Sequence, residues 1–220
     1  MYRMKKAILC AHGQKFTSEW VLGYCSLSNV ISSKGYEVIL RIPPVSLTGL
    51  DLTEWLRGEN GKFGLSNEDP FPDCVIVVDQ SVIPNQSSME KMLESVLQNP
   101  GSVISATHSS QSGSGISAVD ISQTLDEEKG LVPIAAKDIT GNDLIRVKLS
   151  GMGFFCISGE ALENFPKRDD IMASYKIGKF PLDILTTISN FYVNKEVSVF
   201  IHPKAVVPRY VKTVSTPVSL

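Results

Sequence analysis

One short run of residues constrains the fold of this sequence more than any other feature. Residues 74–78 (CVIVV) are apolar without interruption and mostly β-branched, and Asp79 follows them directly. A continuous apolar run, rather than an alternating one, is typical of a strand that is buried on both faces of a mainly parallel sheet. Ligands of such sheets bind beside the carboxyl ends of the strands, which is where Asp79 is expected.

Asp79 could instead cap the helix that follows, because aspartate is a favoured N-cap residue. That helix has a start signal of its own, since Ser87 and Glu90 have the spacing of a capping box. We therefore expect Asp79 in the loop between strand and helix. Two interpretations of it remain open there, a turn-forming residue and a site residue.

The order of the predicted elements indicates an α/β fold. Strands are predicted at residues 6–11, 36–42, 73–79 and 103–107. A helix that opens at Thr17 or Ser18 and stops at Gly35 would bury one face, and a second helix follows from Met89. The residues predicted on the buried face of the first helix are Trp20, Tyr24, Leu27 and Ile31. Repeated returns from helix to apolar strand predict a parallel sheet.

The second half of the chain has weaker signals. Three short pieces resemble strands, at residues 116–121, 131–136 and 144–149, and a helix is predicted to start near Pro181. A late strand is predicted at residues 197–201. We expect one domain over residues 1–205, with residues 206–220 as a strap or a linker to a further domain.

The composition argues against several classes of function. Of the 220 residues, 43% are hydrophobic and 20% charged, and the net charge is −2, so no broad basic surface for nucleic acid is expected. No apolar run is long enough for a membrane helix, and the N-terminal apolar stretch is too short for a secretory signal. Cys10, Cys25, Cys74 and Cys156 lack metal-ligand spacing, which predicts buried, reduced thiols in a cytoplasmic protein.

Several familiar motifs are incomplete. The stretch 58–64 (GENGKFG) lacks the residues of a phosphate-binding P-loop, and residues 10–13 (CAHG) stand where a dinucleotide-binding fold has its glycines. His-Gly after a first strand also suits an α/β-hydrolase, but the nearest nucleophile candidates, Ser112 and Ser114, lack the flanking glycines of a nucleophile elbow. For His108 and His202, ordinary strand-end positions are expected. An esterase-like hydrolase therefore remains an alternative.

Residues 150–156 (SGMGFFC) form an unusual stretch because two glycines interrupt a predicted apolar strand. Glycine inside a strand marks a bulge or a close approach of a ligand to the backbone. The bulge is the commoner explanation when the pair is considered alone.

Four stretches occur in an order that resembles the GT-A glycosyltransferases: AILCAHG, VIVVDQS, SGMGFF and FPLDILTTI. The resemblance covers nearly the whole chain. It implies an α/β, Rossmann-like GT-A fold with a mixed, mainly parallel central sheet flanked by helices. It also implies transfer of a sugar from a nucleotide-sugar donor, with a UDP-sugar expected, to a hydroxyl of a glycan or glycoprotein. A non-catalytic nucleotide- or sugar-binding module is a further alternative.

The resemblance assigns Asp79 to the first acid of the family's D-x-D motif, which would hold Mn²⁺ or Mg²⁺. The second acid is replaced by Ser81. These cations accept one or two carboxylates together with phosphate oxygens and water, so a single aspartate would suffice. The expected nucleotide-binding residues are Ala11, His12, Gly13, Arg57, Asp79, Gln80 and Ser81. For Arg57, a solvated helix-end position is an equally good interpretation.

The resemblance places Gly151, Met152 and Gly153 on the acceptor side and favours Asp183 as the general base of an inverting reaction. Asp183 follows Pro181, and a proline at the first helical position would put it in the first helical turn. An acidic residue there is stabilised by the helix dipole and needs no catalytic purpose. Asp169 and Asp170 are the rivals, in a stretch predicted to be a solvated loop.

Overall fold

The computed structural model describes residues 4–13, 15–44, 50–108, 118–120, 134–177 and 180–209. In chain order the elements are β1 (Lys5–His12), α1 (Ser18–Ser33), β2 (Tyr36–Arg41), α2 (Leu50–Arg57), β3 (Cys74–Asp79), α3 (Gln86–Gln98), β4 (Ser102–Thr107), β5 (Ala118–Asp120), a 3₁₀ turn (Ala136–Asp138), β6 (Ile145–Ser150), β7 (Phe154–Ser158), α4 (Gly159–Leu162), α5 (Arg168–Ser174), β8 (Lys176–Ile177), β9 (Phe180–Pro181), α6 (Ile184–Asn194) and β10 (Ser198–Val206).

Eight of the described strands form one sheet in the order β2-β1-β3-β7-β4-β10-β6-β5, and β8 pairs with β9 in a separate small ribbon. β1 is parallel to both β2 and β3, and β4 is parallel to β10. β7 runs antiparallel between β3 and β4, and β6 runs antiparallel to β10. The predicted α/β architecture with a mixed central sheet flanked by helices is therefore confirmed.

The central strands are buried on both faces, as their continuous apolar runs predict. Ile8 and Val77 belong to one core cluster, together with apolar residues of α2, α4, α5 and α6. Leu9 and Val78 belong to the other cluster, together with apolar residues of α1 and α3. Successive side chains of a strand point to opposite faces of the sheet, so β1 and β3 contribute to both cores. Helices therefore cover both faces of these two strands.

Helix α1 forms as predicted. The Thr17 side chain caps it by accepting a hydrogen bond from the backbone N–H of Trp20 at 3.1 Å. The four residues predicted for its inner face are all buried. Gly35 follows the helix with a φ of +84°, a conformation that favours glycine and ends the helix before β2 begins.

Two helix starts differ from the prediction. α3 begins earlier than the Ser87–Glu90 spacing indicates, because Asn85 is the N-cap and accepts a hydrogen bond from the Ser88 N–H at 2.9 Å. Asparagine and serine are equally good caps, so the sequence offered two starts. Asp169 and Asp170 lie in the first turn of α5, not in a loop, where acidic side chains are favoured by the helix dipole.

The predicted strand at residues 131–136 does not form in its described part. Ile134 is buried, and Ala136 already begins the 3₁₀ turn. At the other end of the chain, the predicted late strand extends to Val206, and Val207 is also buried. Residues 210–220 lie outside the described part, so the proposed division at residue 205 stays a prediction. None of the described helices combines the length and apolarity needed to span a bilayer.

Candidate functional site

The carboxyl ends of β1 and β3 bring two titratable side chains together. In the parallel register of these strands, His12 lies directly beside Asp79. The two residues are 67 positions apart in the sequence, and the imidazole Nδ1 of His12 is hydrogen-bonded to the Asp79 carboxylate Oδ2. A buried sheet thus ends in a carboxylate and an imidazole that contact each other, at the edge where ligands of α/β proteins bind.

The surroundings of the Asp79 carboxylate favour its charged form. Its second oxygen, Oδ1, accepts a hydrogen bond from the backbone N–H of Ser81 at 2.8 Å. Burial alone would raise the pKa of Asp79, but the hydrogen bond and charge of His12, together with the side-chain and backbone hydrogen bonds from Ser81, outweigh burial and lower it. Asp79 does not cap α3, whose N-cap is Asn85.

The backbone of Asp79 is held on both sides. Its N–H donates to the carbonyl of Gly153 at 2.8 Å, and its carbonyl accepts from the indole Nε1–H of Trp20 at 2.9 Å. Trp20 itself stacks on Tyr24 and contacts Phe16 in a tilted arrangement, with ring centroids 4.8 and 4.2 Å away. An aromatic row at the start of α1 therefore helps to set the position of the aspartate.

The loops after β1 and β3 also contact each other. The N–H of Gln80 donates to the carbonyl of His12 at 2.8 Å, and the Gln80 side-chain oxygen accepts from the N–H of Lys15 at 2.9 Å. Gly13 has a φ of +131°, and Gln80 packs where a Cβ at that position would lie. The Ala11 side chain is buried, so only its backbone can face a ligand. The structure brings these loops and Ser81 into one site.

The stretch with two glycines differs from the prediction. Gly151, Met152 and Gly153 do not interrupt a strand but connect β6 to β7, which lie at separate positions in the sheet. Met152 is buried with a φ of +47°. A Cβ at Gly153 would lie 2.9 Å from His108 Nε2 and from a methyl group of Val82, so the close approach is made by protein atoms.

The same connection joins the Asp79 loop to α6. At its start the backbone N–H of Ser150 donates to the hydroxyl of Ser189 in α6 at 2.9 Å. At its end the Gly153 carbonyl accepts from Asp79. Residues 150–153 therefore lie between Asp79, at the carboxyl end of β3, and helix α6, which follows Asp183.

Asp183 is the N-cap of α6, not a residue of its first turn. Its carboxylate accepts hydrogen bonds from the backbone N–H groups of Leu185 and Thr186, both at 3.0 Å, and from the Thr186 hydroxyl at 2.6 Å. Pro181 lies in β9, so it does not begin the helix. The side chain of Asp183 is exposed at the surface. Its role as a general base stays a prediction, and capping alone explains its position.

Arg57 ends α2, and its carbonyl accepts a hydrogen bond from the N–H of Phe63 at 2.7 Å. Its guanidinium would lie 3.4 Å from a Cβ built at Gly61, so the side chain lies over the glycine-rich turn. No hydrogen bond joins it to His12 or to Asp79 in the described part of the chain. The sequence interpretation of Arg57 therefore stays a prediction.

A second arginine beside this turn was missed by the sequence interpretation. Arg41 lies over the Trp55 ring at 4.1 Å and donates to the carbonyls of Trp55 and Leu56 at the end of α2, both at 2.9 Å. It lines a cleft of about 660 Å³ together with Trp55, Asn60 and Gly64. A Cβ at Gly64 would lie 2.9 Å from the Arg41 guanidinium, so a side chain at residue 64 would collide with it. The glycine at this position is the one feature of the sequence that could have pointed to this close contact.

Within the described residues, the site offers a divalent cation one carboxylate, that of Asp79. Among the described residues, no group of three or more His, Cys, Asp or Glu side chains could hold a metal ion. Both Asp79 oxygens carry a hydrogen bond to the chain, but a carboxylate has about four acceptor positions, so acceptor capacity remains on each oxygen. Mg²⁺ and Mn²⁺ bound with nucleotides commonly rely on one or two carboxylates, phosphate oxygens and water.

The remaining candidates lie away from this site or outside the described residues. His202, within β10, accepts a hydrogen bond from the Lys204 N–H at 3.1 Å through its Nδ1. All four cysteines are free, and three are buried as predicted, but Cys25 is exposed on α1. Ser112 and Ser114, the nucleophile candidates of the hydrolase alternative, lie outside the described residues.

No protein-family model matches the sequence, and a comparison with curated proteins finds no match. Solved structures do match. A structure of GalNAc-T7 with UDP, GalNAc and Mn²⁺ superposes with a TM-score of 0.53 at 14% sequence identity and covers 94% of this chain. This chain spans 44% of the length of that protein. At such identity the likeness shows the fold alone.

Two further structures match at lower TM-scores. A glycosyltransferase involved in the glycosylation of the major capsid of PBCV-1 has a TM-score of 0.42 at 15% identity, covering 96% of this chain and 94% of its own. The 4-diphosphocytidyl-2C-methyl-D-erythritol synthase of Anaerococcus prevotii has a TM-score of 0.45 at 12% identity, covering 92% and 90%. The likeness to the GalNAc-T7 structure shows that this chain has a GT-A-like fold.

Proposed function

We propose that this chain transfers a sugar from a nucleotide-sugar donor to a hydroxyl group of a glycan or glycoprotein. The observation that supports the proposal most is the Asp79 carboxylate, held by His12 and Ser81 at the carboxyl ends of the central strands of a GT-A-like fold. A UDP-sugar is the proposed donor, because the GalNAc-T7 neighbour was crystallised with UDP and Mn²⁺.

In this proposal the loop after β1 binds the nucleoside of the donor. The backbone groups of Ala11, His12 and Gly13 would hydrogen-bond to the base and ribose, and Arg57 would reach the base or a phosphate. Gln80 and Ser81 would border the diphosphate. Asp79 would hold Mn²⁺ or Mg²⁺ together with diphosphate oxygens and water. When bound, the cation would neutralise negative charge on the departing nucleoside diphosphate.

The acceptor would lie beside Gly151, Met152 and Gly153, between Asp79 and α6. Asp183 would remove the proton from the acceptor hydroxyl, whose oxygen would then attack the anomeric carbon of the sugar. A new glycosidic bond would form as the bond from that carbon to the diphosphate breaks. Attack from the face opposite the leaving group would invert the anomeric centre.

A thermal-shift panel tests the proposal. Nucleoside diphosphates and UDP-sugars are each added with and without Mn²⁺, and the melting temperature of the protein is measured. We expect UDP with Mn²⁺ to raise the melting temperature more than UDP or Mn²⁺ alone, because a ligand that binds only the folded state stabilises it. Absence of a shift with every nucleotide, at concentrations up to several millimolar, would contradict the proposal.

The alternatives predict different results. An esterase-like hydrolase predicts that Ser112 or Ser114 reacts with a fluorophosphonate probe, and a non-catalytic module predicts UDP binding without release of UDP from a UDP-sugar. A role in capsid glycosylation, or a cytoplasmic location, would be a further step beyond this proposal. The likeness to the PBCV-1 protein adds no argument for the former, because its TM-score is 0.42.

A further inference from the structure

Gly153 extends the pairing of β7 with β3 as far as Asp79. β7 runs antiparallel to β3, and the register of the two strands places Val78 opposite Phe154. One step further, the carbonyl of Gly153 accepts the backbone N–H of Asp79 at 2.8 Å. The proposed ligand of the cation is therefore attached to the sheet through the residue that precedes β7.

The other side of Gly153 faces β4, and there a side chain makes the contact. The last registered pair of β4 and β7 is Ser105 with Phe155. The backbone N–H of Gly153 donates to the imidazole Nε2 of His108 at 3.2 Å. His108 follows β4 directly and is only 4% exposed. The His108 ring thus accepts the hydrogen bond that a backbone carbonyl of a neighbouring strand would accept inside a sheet.

This hydrogen bond defines the state of the His108 ring. A ring nitrogen that accepts a hydrogen bond carries a lone pair, so the neutral ring has its proton on Nδ1. The contact is also tight, because a Cβ at Gly153 would lie 2.9 Å from His108 Nε2 and from Val82. Gly153 therefore has little room to move relative to His108.

We propose that His108 is a positioning residue of the donor site and acts on Asp79 through Gly153. Without an acceptor at residue 108, the buried N–H of Gly153 would lose its partner, and residues 151–153 would shift to find another. Because the Gly153 carbonyl binds the Asp79 N–H, the carboxylate would move with it. The effect on ligand binding rests on the proposed function, whereas the coupling of His108 to Asp79 does not.

Substitutions that keep or remove the acceptor test the proposal. His108→Gln keeps a neutral acceptor of similar reach, whereas His108→Leu removes the acceptor at similar volume. His108→Asn, whose shorter side chain does not reach Gly153, replaces the leucine variant if that variant does not fold. The readouts are hydrogen exchange of the Asp79 amide, followed by NMR, and the Kd for UDP in the presence of Mn²⁺.

We expect the variant without an acceptor to exchange the Asp79 amide about tenfold faster and to bind UDP about fivefold to tenfold more weakly. His108→Gln should restore most of both values. His202→Leu is the matched control, since His202 is 8% exposed and also accepts a backbone N–H, in this case from Lys204. It should lower thermal stability and leave the Asp79 amide and the Kd for UDP unchanged.

Two results would overturn the proposal. One is an Asp79 amide whose exchange is unchanged when the acceptor at residue 108 is removed. The other is an equal change in the His202→Leu control, which would indicate a general loss of stability. If the wild-type protein itself binds no nucleotide, the proposed function fails, and the exchange measurement still decides whether His108 positions Asp79.

Discussion

The indole Nε1–H of Trp20 donates a hydrogen bond to the backbone carbonyl of Asp79 at 2.9 Å. The two residues are 59 positions apart in the sequence. Trp20 lies on the buried face of α1, where the apolar pattern predicts only a core residue. This hydrogen bond gives the tryptophan a second role, because it connects the helix after β1 to the residue that ends β3.

We expect Trp20→Phe to weaken UDP binding about threefold to tenfold in the presence of Mn²⁺. Phenylalanine keeps an aromatic ring in contact with Phe16 and Tyr24 but loses the donor, and one hydrogen bond contributes about 0.5–1.5 kcal/mol. Isothermal titration calorimetry measures the change. Tyr24→Phe is the control, since it removes the hydrogen bond to the Leu9 carbonyl without touching Asp79. Equal losses in both variants would refute a specific role for Trp20.

Substitutions at Asp183 separate helix capping from catalysis. Asparagine is as good an N-cap as aspartate, so Asp183→Asn should keep the stability of the protein. We expect it to leave UDP binding intact and to reduce sugar transfer about 10²–10⁴-fold, because a positioned base contributes that much. The measurement is release of UDP from a UDP-sugar in the presence of acceptor.

Asp183→Ala supplies the complementary control. It removes the hydrogen bonds to Leu185 and Thr186, and loss of an N-cap costs about 1 kcal/mol of folding free energy. Near-normal transfer by Asp183→Asn would move the role of the base to Asp169 or Asp170, or indicate a retaining reaction.

The contribution of Asp69 to the stability of the protein should depend on pH. A hydrogen bond from the Lys6 side chain, followed by hydrogen bonds from Ser66, lowers the pKa of Asp69 to about 2. Because aspartate in the unfolded chain has a pKa of about 3.9, its stabilising effect is complete above that pH. The effect decreases as the pH falls toward about 2, where the folded state also takes up the proton.

We therefore expect Asp69→Asn to lower the melting temperature at pH 6 and to have progressively less effect between pH 4 and pH 2. Glu94→Gln, which removes an exposed ion pair with Lys34, should change little at any pH. A constant difference between wild type and Asp69→Asn over the whole range would show that the hydrogen bonds to Asp69 do not depend on its charge.

Only one of the four cysteines should react rapidly with a thiol reagent. Burial raises the pKa of Cys10 to about 12, and Cys74 and Cys156 are also buried, whereas Cys25 is exposed. The thiolate is the reactive form, so Cys10 should be inert in the folded protein. Titration with an aromatic disulfide should give one thiol in the native state and four in denaturant. Cys25→Ser should abolish the rapid reaction.

Much of the fold follows from local sequence patterns. The runs in β1 and β3 are continuous and apolar because helices cover both faces of the sheet, and Thr17 and Gly35 mark the ends of α1 through local backbone chemistry. These signals depend on neighbouring residues, so one sequence suffices to interpret them. The stretch 150–156 could not be interpreted in this way, because a connection between two distant sheet positions and a bulge within one strand both favour glycine.

The contacts of the site depend on which strands are neighbours. His12 meets Asp79 only because β1 and β3 pair in one particular register, and His108 reaches Gly153 only because β7 lies between β3 and β4. Neither of these two contacts can be inferred from the spacing of the residues along the chain. Asp183 illustrates the opposite case, since its surroundings are local. The helix starts at Ile184 rather than at the predicted Pro181, and this shift of three residues changed the role of Asp183 from first-turn residue to cap.

The central claim is that Asp79 gives nucleotide binding its dependence on a divalent cation. Asp79→Asn keeps the size of the side chain and an acceptor for the Ser81 N–H but removes the charge. The most direct measurement is the Kd for UDP with and without Mn²⁺, for the wild type and for this variant. We predict that Mn²⁺ strengthens UDP binding at least tenfold in the wild type and less than twofold in Asp79→Asn. An equal gain from Mn²⁺ in both proteins would contradict the account.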